Sequence, residues 1–231
     1  MRRLVALIFA ASLAAGTASA QTAEPRAFLL VIDDLHIEFR QTPRLRRLLQ
    51  DLLKSAGNED SWALVTTGSS AVKVDPPRGA ADISTALNRI TGNALRVREE
   101  LDAFGDQNRA AVVRRRASLT DIVISQAISQ AAARGGPLSI LYLTGGYDAR
   151  MVPAMSEVVR ATADARARLI IVSALDIVPL LDPIPDVHPD EWAAYIDATR
   201  QSLKTLAELT GGSLVFSREE FDEAFARELR P

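Results

Sequence analysis

Asp33 and Asp34 are adjacent carboxylates that end an unbroken apolar run, Phe28-Leu-Leu-Val-Ile32, and His36 stands just beyond them. Two carboxylates and an imidazole this close in the chain have the chemistry to ligate a hard cation or to exchange protons with a substrate. A second apolar run, Leu138-Ser-Ile-Leu-Tyr-Leu143, leads through Thr144-Gly145-Gly146 to Tyr147 and Asp148, so a phenol and another carboxylate leave a strand in the same way. Asp182 and Asp186 add acids in a proline-rich stretch.

Such side chains act together only if the elements carrying them end on one side of the molecule. An apolar run without alternation suits a strand buried on both faces of a parallel sheet. Its carboxylates then stand at the C-terminal end of the strand, where open α/β sheets place their ligand crevices. Thr42 as N-cap and Pro43 as first helical residue open a helix with Leu45, Leu48, Leu49, Leu52 and Leu53 on one face, stopped by Gly57. Trp62–Thr67 is the second strand. Val72–Asp75 pairs with it as an antiparallel edge, and Pro76-Pro77 ends that strand. A helix begins over 83–90.

Residues 92–117 are charged, close on Arg114-Arg115-Arg116, and are expected as a helical insertion or long connection with its arginines in solvent. Ser118 and Asp121 have capping-box spacing, which predicts a helix start there with Ile124, Ala127, Ile128 and Ala131 inward. After the strand 138–143 come a helix opened by Pro153, the strand Leu169–Val172 and a rigid acidic loop over 177–190. A long helix from Trp192 to Thr210 and the strand Ser213–Phe216 follow. A final helix has Ser217 and Glu220 as capping box and Phe221, Ala224, Phe225 and Leu229 inward. This alternation predicts an α/β fold: a doubly wound, mostly parallel six-stranded sheet with one antiparallel edge strand and helices on both faces.

Composition narrows the classes of function. Met1-Arg2-Arg3, an apolar stretch over 4–15 and Ala18-Ser19-Ala20 have the form of a secretory signal cleaved after Ala20. The expectation is a signal peptide over 1–20, a linker over 21–26 and one domain over 27–231, in the periplasm or secreted, with no membrane span after cleavage. The absence of cysteine removes disulfides, thiolate catalysis and a lipidated N-terminal Cys. The formal charge is −2, more acidic once Arg2 and Arg3 are lost, and the lysines are Lys54, Lys73 and Lys204. That balance argues against nucleic acid, which needs a basic footprint.

The order of these elements resembles a von Willebrand factor type A (VWA) domain over nearly all of residues 27–228. The resemblance rests on the strand ending in Asp33, the hairpin edge, the helix at Thr120, the strand into Leu143-Thr-Gly-Gly146, and Leu206-Ala-Glu-Leu-Thr-Gly-Gly-Ser-Leu-Val-Phe216. Ile32-Asp-Asp-Leu-His36 is similar to the opening of divergent bacterial VWFA-related proteins. The resemblance implies protein binding or cell adhesion through a metal-ion-dependent adhesion site with an Asp-x-Ser-x-Ser motif, a Thr on a second loop and an Asp on a third. Asp33 and Thr120 match it. Leu35 and Ile37 occupy the hydroxyl positions, and Gly145 stands where the third-loop Asp belongs, with Asp148 further on. Such a degenerate site predicts no cofactor, or at most weak Mg²⁺ or Ca²⁺ on Asp33, Asp34, Thr120 and Asp148.

Other chemistries lack parts. A receiver domain needs a phosphate-accepting Asp on its third strand and a Lys on its fifth. A haloacid-dehalogenase phosphatase needs Asp-x-Asp, and a serine hydrolase of the nucleophile-elbow type needs Gly-x-Ser-x-Gly. None of these stands here. The expected function is therefore a non-enzymatic module binding a protein partner at a rim of Asp33, Asp34, His36, Thr120, Tyr147, Asp148, Asp182 and Asp186. The alternatives are cation-dependent binding through a remodelled site and a carboxylate-dependent envelope hydrolase.

Overall fold

Successive residues of a strand point to opposite faces, and in this chain both faces of the sheet are apolar. Phe28, Leu30 and Ile32 of the first strand pack with one core, and Leu29 and Val31 with another. Helices cover both. The computed structural model describes residues 26–57, 60–150, 155–180 and 186–229. The expected signal, Pro153 and Asp182 lie outside these residues.

The elements are β1 (Ala27–Ile32), a 3₁₀ turn (Phe39–Gln41), α1 (Thr42–Lys54), β2 (Ser61–Thr66), β3 (Lys73–Arg78), α2 (Ala80–Leu87), α3 (Val97–Asp102), α4 (Gln107–Ala132) and β4 (Leu138–Thr144). They continue with α5 (Ser156–Ala165), β5 (Arg168–Ser173), α6 (Ala174–Ile177), α7 (Pro189–Thr210), β6 (Ser213–Val215) and α8 (Arg218–Leu229). The sheet order is β3-β2-β1-β4-β5-β6, with only the β2–β3 pair antiparallel. This is the expected doubly wound, Rossmann-like α/β fold. Helices α1, α2 and α8 contribute to the core that holds Trp62, which stacks on Phe28 at 4.3 Å between ring centroids. Helices α4, α5 and α7 contribute to the other, around Ile140, Tyr142 and Ile171. Among the described residues no helix is long and apolar enough to cross a membrane.

The chain order reverses direction across the sheet between β1 and β4. Loops leaving these neighbouring strands diverge to opposite sides, which is the arrangement that opens a crevice at the C-terminal edge. Asp33 follows β1 and Tyr147 follows β4, so the fold sets both acidic segments at that switch point.

Three local expectations are corrected. The start of α1 falls at Thr42 itself, after the 3₁₀ turn, with Gln41 at the cap position. Thr42 Oγ1 instead accepts the Gly92 backbone N–H at 2.9 Å. β3 runs through Pro76-Pro77 to Arg78; an edge strand tolerates missing N–H donors on its open side. Most consequential, no helix begins at Ser118. α4 runs unbroken from Gln107, with Asp106 as its N-cap, so 92–117 is a short helix and then the first half of a long one.

The capping pattern misleads because its two side chains serve other partners. Ser118 Oγ donates to Arg114 O one turn back, at 3.0 Å. Asp121 caps a different helix: its oxygens accept the Val158 and Glu157 N–H groups of α5 at 2.9 and 3.3 Å. Asp121→Ala should therefore cost about 1 kcal/mol, a fall of about 2–4 °C in Tm for a chain of this size. Ser118→Ala should change stability by less than about 0.5 kcal/mol. Thermal melts of both variants decide the matter, and a larger loss in Ser118→Ala would restore a helix start there.

Candidate functional site

Strand alternation explains the site. Asp33 continues the parity of Leu29 and Val31, Tyr142 and Thr144 that of Ile140, and Thr67 that of Ala63 and Val65, so all four point to one face of the sheet at its C-terminal edge. Thr120, fully buried on α4, closes that face from above. The result is a polar layer over an apolar core.

Five donors converge on the Asp33 carboxylate, which has no exposed surface. Its Oδ1 accepts from Thr67 Oγ1 at 2.6 Å and Thr120 Oγ1 at 3.2 Å. Its Oδ2 accepts from Thr144 Oγ1 at 2.8 Å and the Tyr142 hydroxyl at 3.0 Å, and lies 2.8 Å from His36 Nδ1. Burial works to raise the Asp33 carboxyl, but the adjacent imidazole and the hydroxyl donors outweigh it and hold the group at about 2 against an ordinary 3.8. Burial likewise works against a charged His36, yet the Asp33 carboxylate in contact and the charge of Glu100 raise it above its ordinary 6.5. Glu100 is itself buried and accepts from the Tyr195 hydroxyl at 2.9 Å; burial raises its carboxyl.

Asp34 is equally buried and does different work. It accepts the backbone N–H of Gly68 at 2.6 Å and of Ser70 at 2.8 Å, pinning the turn after β2 to the end of β1. Tyr147 meets His36 edge-on, at 6.1 Å between centroids. Asp148 is held by Arg150, whose Nε lies 2.9 Å away and whose guanidinium sits over Phe104. The structure thus brings Asp33, Asp34, His36, Thr120 and Tyr147 together, with Asp148 in a separate ion pair. All six are buried in this conformation and are not surface contacts. Asp186 is exposed and belongs to a different cleft.

A hard-oxygen metal shell does not fit these residues. The oxygens that would face a cation already accept from five donors, and the neighbouring Leu35 and Ile37 are buried aliphatics that offer no oxygen ligand. Gly145 admits no side chain at all. A Cβ there would lie 1.9 Å from the His36 carbonyl oxygen, so the β1 loop fills the space that any side chain at 145 would need. Gly92 allows a similar approach from the other side, where a Cβ would meet Ile37 O at 2.4 Å. Among the described residues there is no cluster of three or more His, Asp or Glu arranged around a cation position.

The Asp33–His36 contact has the geometry by which a carboxylate orients an imidazole as a base. The His36 side chain is only 4 % exposed, however, and among the described residues no hydroxyl hydrogen-bonds to its other ring nitrogen. The contact ties the β1 loop to the end of its own strand.

Sequence reasoning missed Thr67, Tyr142 and Thr144 as partners of Asp33. The available signal was a tyrosine and a threonine two residues apart in a mostly apolar strand, on the parity that faces Asp33. It also missed Arg116, which turns inward from the arginine run to donate to Leu35 O at 2.7 Å and to Asn93 O. No protein-family model matches this chain, and no curated protein matches it.

The paired shifts set a pH window. The depressed Asp33 contributes stability above about its ordinary 3.8, lost as pH falls toward 2. The raised His36 contributes stability that is complete below 6.5 and is lost as pH climbs through its folded-state value. The melting temperature should thus fall on the alkaline side of that window, and His36→Asn should flatten the fall. Identical alkaline slopes in the two proteins would show that the imidazole is not charged in the folded state.

Proposed function

We propose that this protein is an exported, VWA-like interaction module without enzymatic activity, and that it engages a protein partner at the C-terminal rim of its sheet. The observation that carries this reading is the closed shell of donors around Asp33. Both oxygens of the carboxylate best placed for chemistry are held by neighbours from β1, β2, β4 and α4, which leaves the surrounding loops as the working surface. Loops fixed in this way lose little entropy when a partner lands on them. The strand order supports the VWA-like resemblance, and the switch point supports a rim at that edge. The signal-like residues 1–20 support export to the periplasm or beyond.

Binding on this reading is independent of divalent cations, because the residues at the adhesion position are engaged with one another. The test is retention of an envelope protein from the native host on immobilised protein lacking residues 1–20. Retention should be saturable, unchanged by EDTA, and weakened by Phe39→Ala, since Phe39 stands 66 % exposed at this edge. Retention that requires Mg²⁺ or Ca²⁺ would return the site to metal-dependent adhesion. Ester or phosphate hydrolysis lost in His36→Ala would instead make the protein an enzyme.

A further inference from the structure

Three of the six large apolar side chains that the described surface exposes stand on one helix: Val112 at 49 %, Leu119 at 42 % and Ile122 at 46 %. They lie on α4, opposite the Ala110, Val113, Ala117 and Ile124 that face the core. With Arg115, Gln126 and Ser129 they follow one another three and four residues apart in turn, the spacing of a seam along which one helix packs on another. Every residue of this seam is exposed. Beside it an open groove of about 580 Å³ separates α4 from α5, with Glu157, Arg160 and Asp164 on its α5 side.

The charges on this face are divided along its length. Arg109 is taken by Asp102, and Arg160 by Glu157. Arg114 and Arg115, before the apolar centre of the seam, have no ion-pair partner among the described residues, and neither has Asp164. Asp121 caps α5, so α5 starts level with the middle of α4, and both helices run from the C-terminal to the N-terminal edge of the sheet. The acids of the groove therefore lie beyond that centre, on the side away from the arginines. A face that is basic at one end, apolar in the middle and acidic at the other complements itself when a second copy lies antiparallel.

We propose that this face pairs with a second copy of the chain, α4 packing on α4 about a two-fold axis between Leu119 and Ile122. Leu119 of each copy then meets Ile122 of the other, Val112 meets Ser129, and Arg115 passes over Gln126 toward Asp164 in the groove. The seam from Val112 to Ser129 is about 26 Å long, and a strip about 10 Å wide along it gives roughly 260 Å² per copy. A standard interface takes about 800 Å² from each partner, so even with the walls of the groove the pairing is of the weak, reversible class. A membrane surface fits less well, because Arg115, Gln126 and Ser129 interrupt the apolar stripe and the acids of α5 repel anionic lipid. The assignment concerns a helix face and not the loops of the rim, and it stands without the partner reading.

Sedimentation velocity of the purified protein over a range of concentrations tests the pairing. A reversible monomer–dimer equilibrium is expected, with a Kd on the order of 10 µM. Ile122→Glu should raise that Kd at least about tenfold, because it sets a charge in the apolar centre of both halves. The position is exposed, and unchanged melting of the variant confirms that it folds. Arg115→Glu and Asp164→Arg should each weaken self-association. A mixture of these two variants should associate as tightly as the unaltered protein, since only the mixed dimer restores opposite charges at both ends. A monomer at every concentration, a dimer indifferent to Ile122→Glu, or a mixture no tighter than its components would each overturn the assignment. So would a monomer that binds anionic vesicles through Ile122, which would give the face to a membrane instead.

Discussion

The Asp33 carboxylate is cut off from water at the end of the central strand, and everything around it is arranged to make that tolerable. An unpaired buried carboxylate would cost several kcal/mol, and this one is held ionised by an imidazole and four hydroxyls. Those donors come from the β1 loop, the end of β2, β4 and α4. No two of these segments can shift independently without uncovering the charge. The sheet order is a condition of the arrangement, since only a β1 flanked by β2 and β4 can collect donors from both sides.

A cation held by oxygens and a carboxylate held by donors solve the same electrostatic problem in opposite ways. In this chain the His36 imidazole, on the loop that follows Asp33, stands against the carboxylate, which favours its charged form. The His36 carbonyl oxygen also occupies the space that a side chain at position 145 would need. Gly145 and the inward Leu35 and Ile37 are then consequences of one loop folding onto the sheet edge. The rim above is stiffened from below.

How much of this was legible in the residues depends on the range of the interaction. The strand parity, the leucine face of α1 and the glycine stops are local patterns, and the sheet follows from them. The aliphatic residues at 35 and 37, which cannot ligate a cation, were also visible at once. Ser118 and Asp121 were misleading because a capping pattern specifies which groups are available, and Asp121 found its N–H donors on α5 instead. The five-donor shell was hidden because it joins residues up to 111 positions apart, and Thr67, Tyr142 and Thr144 carry no motif that couples them to Asp33. The inward turn of Arg116 depends on loop carbonyls that only the fold presents.

The arrangement requires Asp33 to be an ionised carboxylate satisfied from within the fold. Its carboxyl carbon, followed by NMR in protein labelled at aspartate and assigned with Asp33→Asn, reports the ionisation directly. A carboxylate held by these donors should keep a flat chemical shift as pH falls through the ordinary aspartate range and move only near about 2. An inflection at 3.8 or above would mean that burial dominates, that the donors do not hold the charge, and that the rim is not organised around it.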